Sequence, residues 1–331
     1  MELPLSWYPI YPSLQLAPNK VVAVEAFGRK LSLFRTSKNQ LGLLDAQCCH
    51  IGADLTRGQV ENGALVCPLH NWHFNPNGKC THIPCQTHIP RNIRQPSFRC
   101  KEQYGVIYAY LGEGEEEEVF TLPTYSNIAH SVVSAPQHLD FNAPYEMAAV
   151  NSFDQQHLTT VHRRELVNGQ KITSNSPYHF AIEYRAKVIP KTIYDKVLHI
   201  IGKSQVHMRL DCWGGNILMF SHLGTPNRMI ISLLPLSDNL TRAYITSVLP
   251  RTKKAIFLPL QWVFVRLLNH FTMRFVNQDI KALEGINFRF INVLPEADNT
   301  MISWYKYWKK LPRIDISKIG RHKTPSPSHN K

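Results

Sequence analysis

Four residues, Cys48, His50, Cys67 and His70, form the most informative set of metal-binding side chains in the chain. They make a C-x-H pair and a C-x-x-H pair, with sixteen residues between the two. Two thiolates and two imidazoles satisfy tetrahedral coordination, and two kinds of centre compete for them. Zinc accepts Cys₂His₂, but zinc fingers keep like ligands together as C-x₂₋₄-C and H-x₃₋₅-H. Here each loop supplies one Cys and one His. A two-iron cluster with two Cys on one iron and two His on the other needs that mixing, because each loop must reach both irons. The spacing therefore favours a [2Fe-2S] cluster. Cys49, Cys80, Cys85, Cys100 and Cys212 receive no metal role, and His73, His82 and His88 are read as ordinary loop histidines.

A second set follows in Asn151-Ser-Phe-Asp154-Gln-Gln-His157-Leu-Thr-Thr-Val-His162. Two His and one carboxylate on one side of a metal, with open positions opposite, is the non-haem Fe(II) oxygenase arrangement. Asp154 and His157 share a helix face at i,i+3. His157 and His162 are five apart, roughly 140° around an ideal helix. For both to reach one metal, the helix must end or bulge near Thr159–Val161. The third ligand is expected far downstream. Asp279 stands among Phe271, Phe275, Ala282 and Ile286 at helical spacing, and a carboxylate in an apolar stripe must be paired or metal-bound. Glu284, Asp298 and Asp211 are the alternatives.

The elements that must position these groups fall into two parts. Strands are expected at Lys20–Phe27, Leu31–Arg35, Gln40–Leu44, Leu65–Cys67 and Tyr104–Leu111, punctuated by Gly, Asn and Pro. The polar run Gly112-Glu-Gly-Glu-Glu-Glu-Glu118 reads as a linker. Beyond it come a helical segment at about 144–164, strands around 180–249 and a long apolar helix at about 253–287. The expected division is 1–115, an all-β cluster domain; 116–312, a catalytic α+β domain; and 313–331, a disordered basic tail. The 331 residues, 44% hydrophobic with 10% aromatic, can build two cores and exclude a disordered or collagen-like chain. Seven Cys are too few for a disulfide scaffold. With no basic, apolar leader at Met1, the expected location is cytoplasmic.

Cys48-Cys-His-Ile-Gly-Ala-Asp-Leu, Gly58-Gln-Val-Glu-Asn-Gly and Cys67-Pro-Leu-His-Asn-Trp-His-Phe resemble the Rieske domain of the Rieske non-haem iron oxygenases, and Trp7-Tyr-Pro is similar to that family. Two departures stand beside the ligands: Ile51 where the family usually has Arg, and Asn71 where it usually has Gly. Respiratory Rieske proteins carry an extra disulfide near the ligand His residues, where this chain has Ala53 and His73. The second set matches the family's N-x-x-D-x-x-H-x₄-H pattern at Asn151, Asp154, His157 and His162. The resemblance implies a helix-grip-like catalytic domain with iron on His157, His162 and Asp279. Gln278 replaces the first acid of the family's acidic pair. It also implies a supporting Asn151 and an Asp154 that bridges electrons, its carboxylate bonding His157 of its own chain and His70 of a neighbour.

The implied activity is an O₂-dependent monooxygenase, hydroxylating or demethylating a small organic substrate. No Gly-x-Gly-x-x-Gly stretch is present, so electrons from NAD(P)H must come through a reductase or ferredoxin partner. The family's smaller members imply a head-to-tail homotrimer. The alternatives are an electron carrier without catalytic iron, an oxygenase acting on a tetrapyrrole or sterol-like substrate, and a zinc-stabilised binding protein. Net charge is +13, yet residues 1–150 carry 11 basic against 13 acidic side chains. The basic half has no nucleic-acid-binding motif and is read as a solvated basic surface, with docking of an acidic electron carrier as the sharper alternative. Ala255–Phe271 is apolar nearly all round and shorter than the ~20 residues of a membrane span. It is read as a buried helix lining the active-site cavity, and peripheral membrane contact is not favoured.

Overall fold

The computed structural model describes residues 1–112, 120–125, 131–167, 169–190, 205–287, 289 and 292–316. Most of the acidic run, the expected boundary at 115 and the tail from 317 lie outside them.

The expected early strands are present, shifted by a residue or two. Ser97–Phe98, Leu41–Asp45, Arg29–Arg35 and Lys20–Ala26 form one antiparallel sheet, in that order. Val106–Leu111 lies between Cys100–Gln103 and Ser6–Pro12 in another. A third sheet, Gln59–Glu61, Ala64–Val66, His73–Phe74 and Cys80–His82, is built from very short strands. Short strands leave the chain in loops, and those loops carry the cysteines and histidines.

The second part is a nine-stranded antiparallel sheet flanked by helices. From one edge run Ser131–Val133, Leu240–Pro250, Arg228–Ser237, Ile217–Leu223, Gln205–Trp213, His179–Val188 and Arg164–Leu166, with Gln137–Phe141 also paired to Leu240–Pro250 and Lys171–Thr173 to His179–Val188. Alternate residues give the sheet two apolar faces. Phe180, Ile182, Leu210, Cys212 and Leu218 pack with Phe153 and Trp304 on one side. Ile217, Met219, Ile230, Tyr244 and Val248 pack with Trp7, Tyr108 and Tyr110 of the first part on the other. Buried hydrogen bonds fix this junction: Ser6 Oγ to Asn216 Oδ1 at 2.7 Å and Tyr244 Oη to the Ile10 carbonyl at 3.0 Å. The two parts are therefore joined by a shared core.

Four α-helices are described: α1 (Tyr145–Asn151), α2 (Gln155–Thr160), α3 (Leu258–Leu283) and α4 (Asn299–Lys310). Two expectations need correction. Arg313–Asp315 is not part of a disordered tail, because it pairs with Glu2–Pro4 and sets Ile314 opposite Leu3. The fold thus closes on its own amino terminus. Nor is the apolar start of α3 buried. Val265, fully enclosed, packs with Leu258 and Leu268 on Val132 and Leu249, while Leu260, Phe264 and Leu267 face solvent. A helix lying on a sheet edge buries one stripe, and no described residue covers the other. Among the described residues no helix is long and apolar enough to cross a membrane.

Candidate metal centres

The two cysteine-histidine loops have the same local build. Cys48 N–H donates to the Ala53 carbonyl and Gly52 N–H to the Cys48 carbonyl, both at 2.8 Å. In the other loop Cys67 N–H donates to the Trp72 carbonyl at 2.8 Å and Asn71 N–H to the Cys67 carbonyl at 3.0 Å. Each turn closes on a residue in the left-handed region, Gly52 at φ 84° and Asn71 at φ 54°. Glycine adopts that backbone freely, and Asn is among the few other residues that tolerate it. The unusual Asn71 therefore keeps the turn. Asn71→Gly should leave stability within about 1 kcal/mol, whereas Asn71→Val should cost about 2 kcal/mol, read by thermal unfolding.

The loops bring all four predicted side chains together. His50 Nδ1 and His70 Nδ1 face each other at 3.2 Å. Two imidazoles on one tetrahedral metal with ~2.1 Å bonds would hold their nitrogens about 3.4 Å apart. Cys48 and Cys67 are buried, and their thiols are within hydrogen-bonding contact. The Cys49 thiol and burial push the Cys48 thiol far up, and burial pushes the Cys67 thiol up. Such a pair ionises when a cation compensates it, so the donor set fits a cluster with cysteines inward and histidines at the surface. Trp72 stacks on His50, ring centroids 4.2 Å apart. Exposed Ile51 and Leu69 flank the histidines.

Gln95, absent from the sequence reading, holds the first loop in place. It is buried; its Oε1 accepts the Cys49 N–H at 2.7 Å, and its Nε2 donates to the Asp45 and Gln47 carbonyls at 2.8 and 2.7 Å. A glutamine 46 residues from its partner leaves no local pattern.

The second set also converges. Phe153 is buried, its ring edge-on to Phe180 and stacked on Trp304. That anchor and the Thr300 hydroxyl, which donates to the Phe153 carbonyl at 2.6 Å, fix the junction between α1 and α2. The helix expected at 144–164 is broken there, with Asp154 as the cap of α2. Its Oδ1 accepts the N–H groups of Gln156 and His157 at 2.8 and 3.3 Å. The carboxylate therefore does not reach the His157 ring as expected; His157 Nδ1 meets the Asp154 backbone carbonyl instead, at 2.7 Å. That contact fixes the ring and leaves Nε2 for a ligand. Asn151 is buried at the end of α1, and its carbonyl accepts the Asp154 N–H at 3.1 Å.

As the angular argument required, α2 ends at Thr160, so His162 turns back toward His157. Asp279, near the end of α3, places Oδ1 2.7 Å from His162 Nε2 and 3.6 Å from His157 Nε2. Ligand atoms of the three residues all lie within 4.8 Å of one another. Phe275, one turn before Asp279, stacks on His162 with centroids 3.8 Å apart. Ala282 and Ile286 are exposed, so the apolar stripe reduces at Asp279 to Phe275. Burial lowers the His157 pKa, keeping its imidazole neutral and able to ligate at neutral pH. His162 Nδ1 is buried without a hydrogen-bond partner among the described residues. Two imidazoles and one carboxylate, with Phe275 stacked on one of the rings, suit a mononuclear iron.

The other carboxylates are not part of this group. Asp298 accepts from Gln156 and from the Leu294 N–H, Asp211 pairs with Arg209 and His179, and Glu284 is an exposed residue following α3.

Residues 6–98 match the family model described as the Rieske [2Fe-2S] domain. The chain is 30% identical over 183 residues to cholesterol 7-desaturase nvd 1 of Ciona intestinalis, covering 54% of this chain and 39% of that protein. It is 42% identical over 88 residues to the oxygenase component of 3-ketosteroid-9-alpha-monooxygenase of Rhodococcus rhodochrous, covering 27% and 23%. The matches thus span well under half the length of these curated relatives. Dicamba monooxygenase bound to dicamba shares the fold over 93% of this chain and 96% of its own, with TM-score 0.64 and 16% identity. Residues 6–98 thus resemble a Rieske [2Fe-2S] domain inside a fold shared with a monooxygenase, and the two donor sets fit a [2Fe-2S] cluster and a mononuclear iron.

Proposed function

We propose that the protein is an O₂-dependent monooxygenase in which Cys48, His50, Cys67 and His70 hold the cluster and His157, His162 and Asp279 hold the iron. The convergence of those last three residues carries the reading, since an electron carrier has no use for a second set of ligands. When bound, the cluster supplies single electrons and the iron supplies the chemistry that inserts one oxygen atom of O₂ into a substrate C–H bond. The protein's own part is positional. The Asp154 carbonyl orients His157, Phe275 shields His162 from water, and Asp279 contributes the negative charge.

His50 and His70, exposed between Ile51 and Leu69, form the surface through which electrons enter and leave. An external ferredoxin or reductase provides them. Asp154 is assigned the path onward to His157, with His70 offered by a neighbouring subunit of a homotrimer. The curated relatives are named for cholesterol and 3-ketosteroid chemistry, which favours a lipophilic, polycyclic substrate.

Iron and acid-labile sulfide analysis under anaerobic conditions, with EPR of the dithionite-reduced protein, tests the reading. The expected result is about three iron and two sulfide per chain with a Rieske-type signal. About two of each, without uptake of added Fe(II), would make it an electron carrier; zinc without sulfide would remove both centres.

A further inference from the structure

The amino-terminal half of α3 turns an apolar stripe outward. Leu260, Val263, Phe264 and Leu267 recur at helical spacing, and Ile256 and Phe257 extend the row one turn before the helix. Their exposures run from 49% to 82%, the extremes being Phe257 and Ile256. The opposite side, through Val265 and Asn269, is fixed to the sheet, Asn269 bonding the Ser247 hydroxyl at 3.0 Å and Gln137 at 3.1 Å. The stripe therefore cannot roll inward. A row of large apolar side chains about 16 Å long along the axis, from residue 256 to 267 at ~1.5 Å each, exceeds the scattered exposure normal for a monomer.

Charge says what covers it. From Asn239 to Gln278 the sequence has no Asp or Glu, while Arg242, Arg251, Lys253, Lys254, Arg266 and Arg274 are all basic. Arg251, Lys253 and Lys254 are exposed at the start of the stripe, Arg266 is exposed along its side, and Trp262 is 48% exposed. Apolar residues on one face, cations beside them and an amphipathic Trp at the margin match a helix that lies in a bilayer interface. A two-fold pairing of this surface with a second copy would bring its cations against each other. We propose that the α3 stripe docks the protein on an anionic lipid bilayer.

Combined with the oxygenase reading, on which this step rests, the docking names the substrate source. The stripe's last residue, Leu267, lies about 18 Å along the same helix from Asp279, so docking would put the lipid contact and the metal site on one rigid element. The substrate of that site is drawn from molecules dissolved in the membrane.

Flotation of the full-length protein with phosphatidylcholine vesicles, with and without phosphatidylglycerol, tests the docking. Binding is expected to the anionic vesicles and to weaken as salt rises. The Lys253→Ala/Lys254→Ala variant should bind about thirtyfold more weakly. Leu260→Ser/Phe264→Ser should not float, while keeping the wild-type melting temperature and cluster spectrum because both side chains are exposed. A wild-type protein that ignores anionic vesicles, or serine variants that float normally, would overturn the docking. So would serine variants whose light-scattering mass falls to a monomer where the wild type is an oligomer, since the stripe would then join copies of the chain. Flotation needs no turnover. Its failure leaves the oxygenase reading standing, and a chain that floats without mononuclear iron retires that reading alone.

Discussion

Asp279→Asn should yield a protein that keeps its [2Fe-2S] cluster, loses its mononuclear iron and turns over more than about a hundredfold slower. Residues that merely orient a metal ligand cost 10–100-fold when replaced, so removing the carboxylate of the proposed ligand set should cost at least that much. Asp279 Oδ1 is 2.7 Å from His162 Nε2, within reach of the position both imidazoles address. An amide of the same shape carries no charge to balance a divalent ion. The cluster survives because its ligands sit on loops of a separate sheet. Iron should fall from about three to two per chain with sulfide and the EPR signal unchanged. Asp298→Asn is the contrast: its carboxylate accepts from Gln156 and Leu294, so that variant should keep its iron. Iron retained in the first variant and lost in the second would move the ligand role to Asp298.

How far the sequence revealed this site depends on the range of each interaction. The convergence of Cys48, His50, Cys67 and His70 was legible because it rests on residue type and spacing, and the two loops need only short strands to meet. The helix break was legible from geometry alone. Residues five apart cannot face one metal on an ideal helix, and the chain ends α2 at Thr160 to allow it. Asp154 was less so. A residue three before His157 at a helix start is as well placed to cap the first turn as to bond the ring, and here the cap takes the carboxylate while the carbonyl takes the ring.

Interactions with distant partners were not legible. Phe153 reads as one more aromatic, yet its packing on Trp304 and the Thr300 hydrogen bond set where α2 begins. Three carboxylates competed with Asp279; the pairings of two of them, Asp298 with Gln156 and Asp211 with Arg209 and His179, emerge when the sheet and helices assemble, and Glu284 is left exposed. The start of α3 misled for a related reason. A helix apolar all round reads as buried by default, but periodicity does not say how many neighbours the fold supplies. This one has a sheet on a single side.

Gln95→Leu should empty or destabilise the cluster while leaving the mononuclear iron in place. The glutamine uses its carbonyl oxygen on the Cys49 N–H and both amide hydrogens on the Asp45 and Gln47 carbonyls, tying together three positions of the strand and loop leading to Cys48 and His50. Leucine fills a similar volume and satisfies none of them. Each polar group left unpaired in a buried setting costs about 1–3 kcal/mol. The loss should approach about 3 kcal/mol once some water reaches the loop, or roughly 5–10 °C in melting temperature. The readout specific to the loop is the cluster itself: lower sulfide content and a shifted EPR spectrum in the molecules that retain it. Containment within the first part is expected because the hydrogen-bonded part of its junction with the nine-stranded sheet, Ser6 to Asn216 and Tyr244 to Ile10, lies on the sheet of Trp7, Tyr108 and Tyr110. Leu43, on the strand before Cys48, joins the shared core through apolar packing. If the iron on His157, His162 and Asp279 were lost together with the cluster, the shared core would be transmitting the disturbance, and the two centres would have to assemble as one unit.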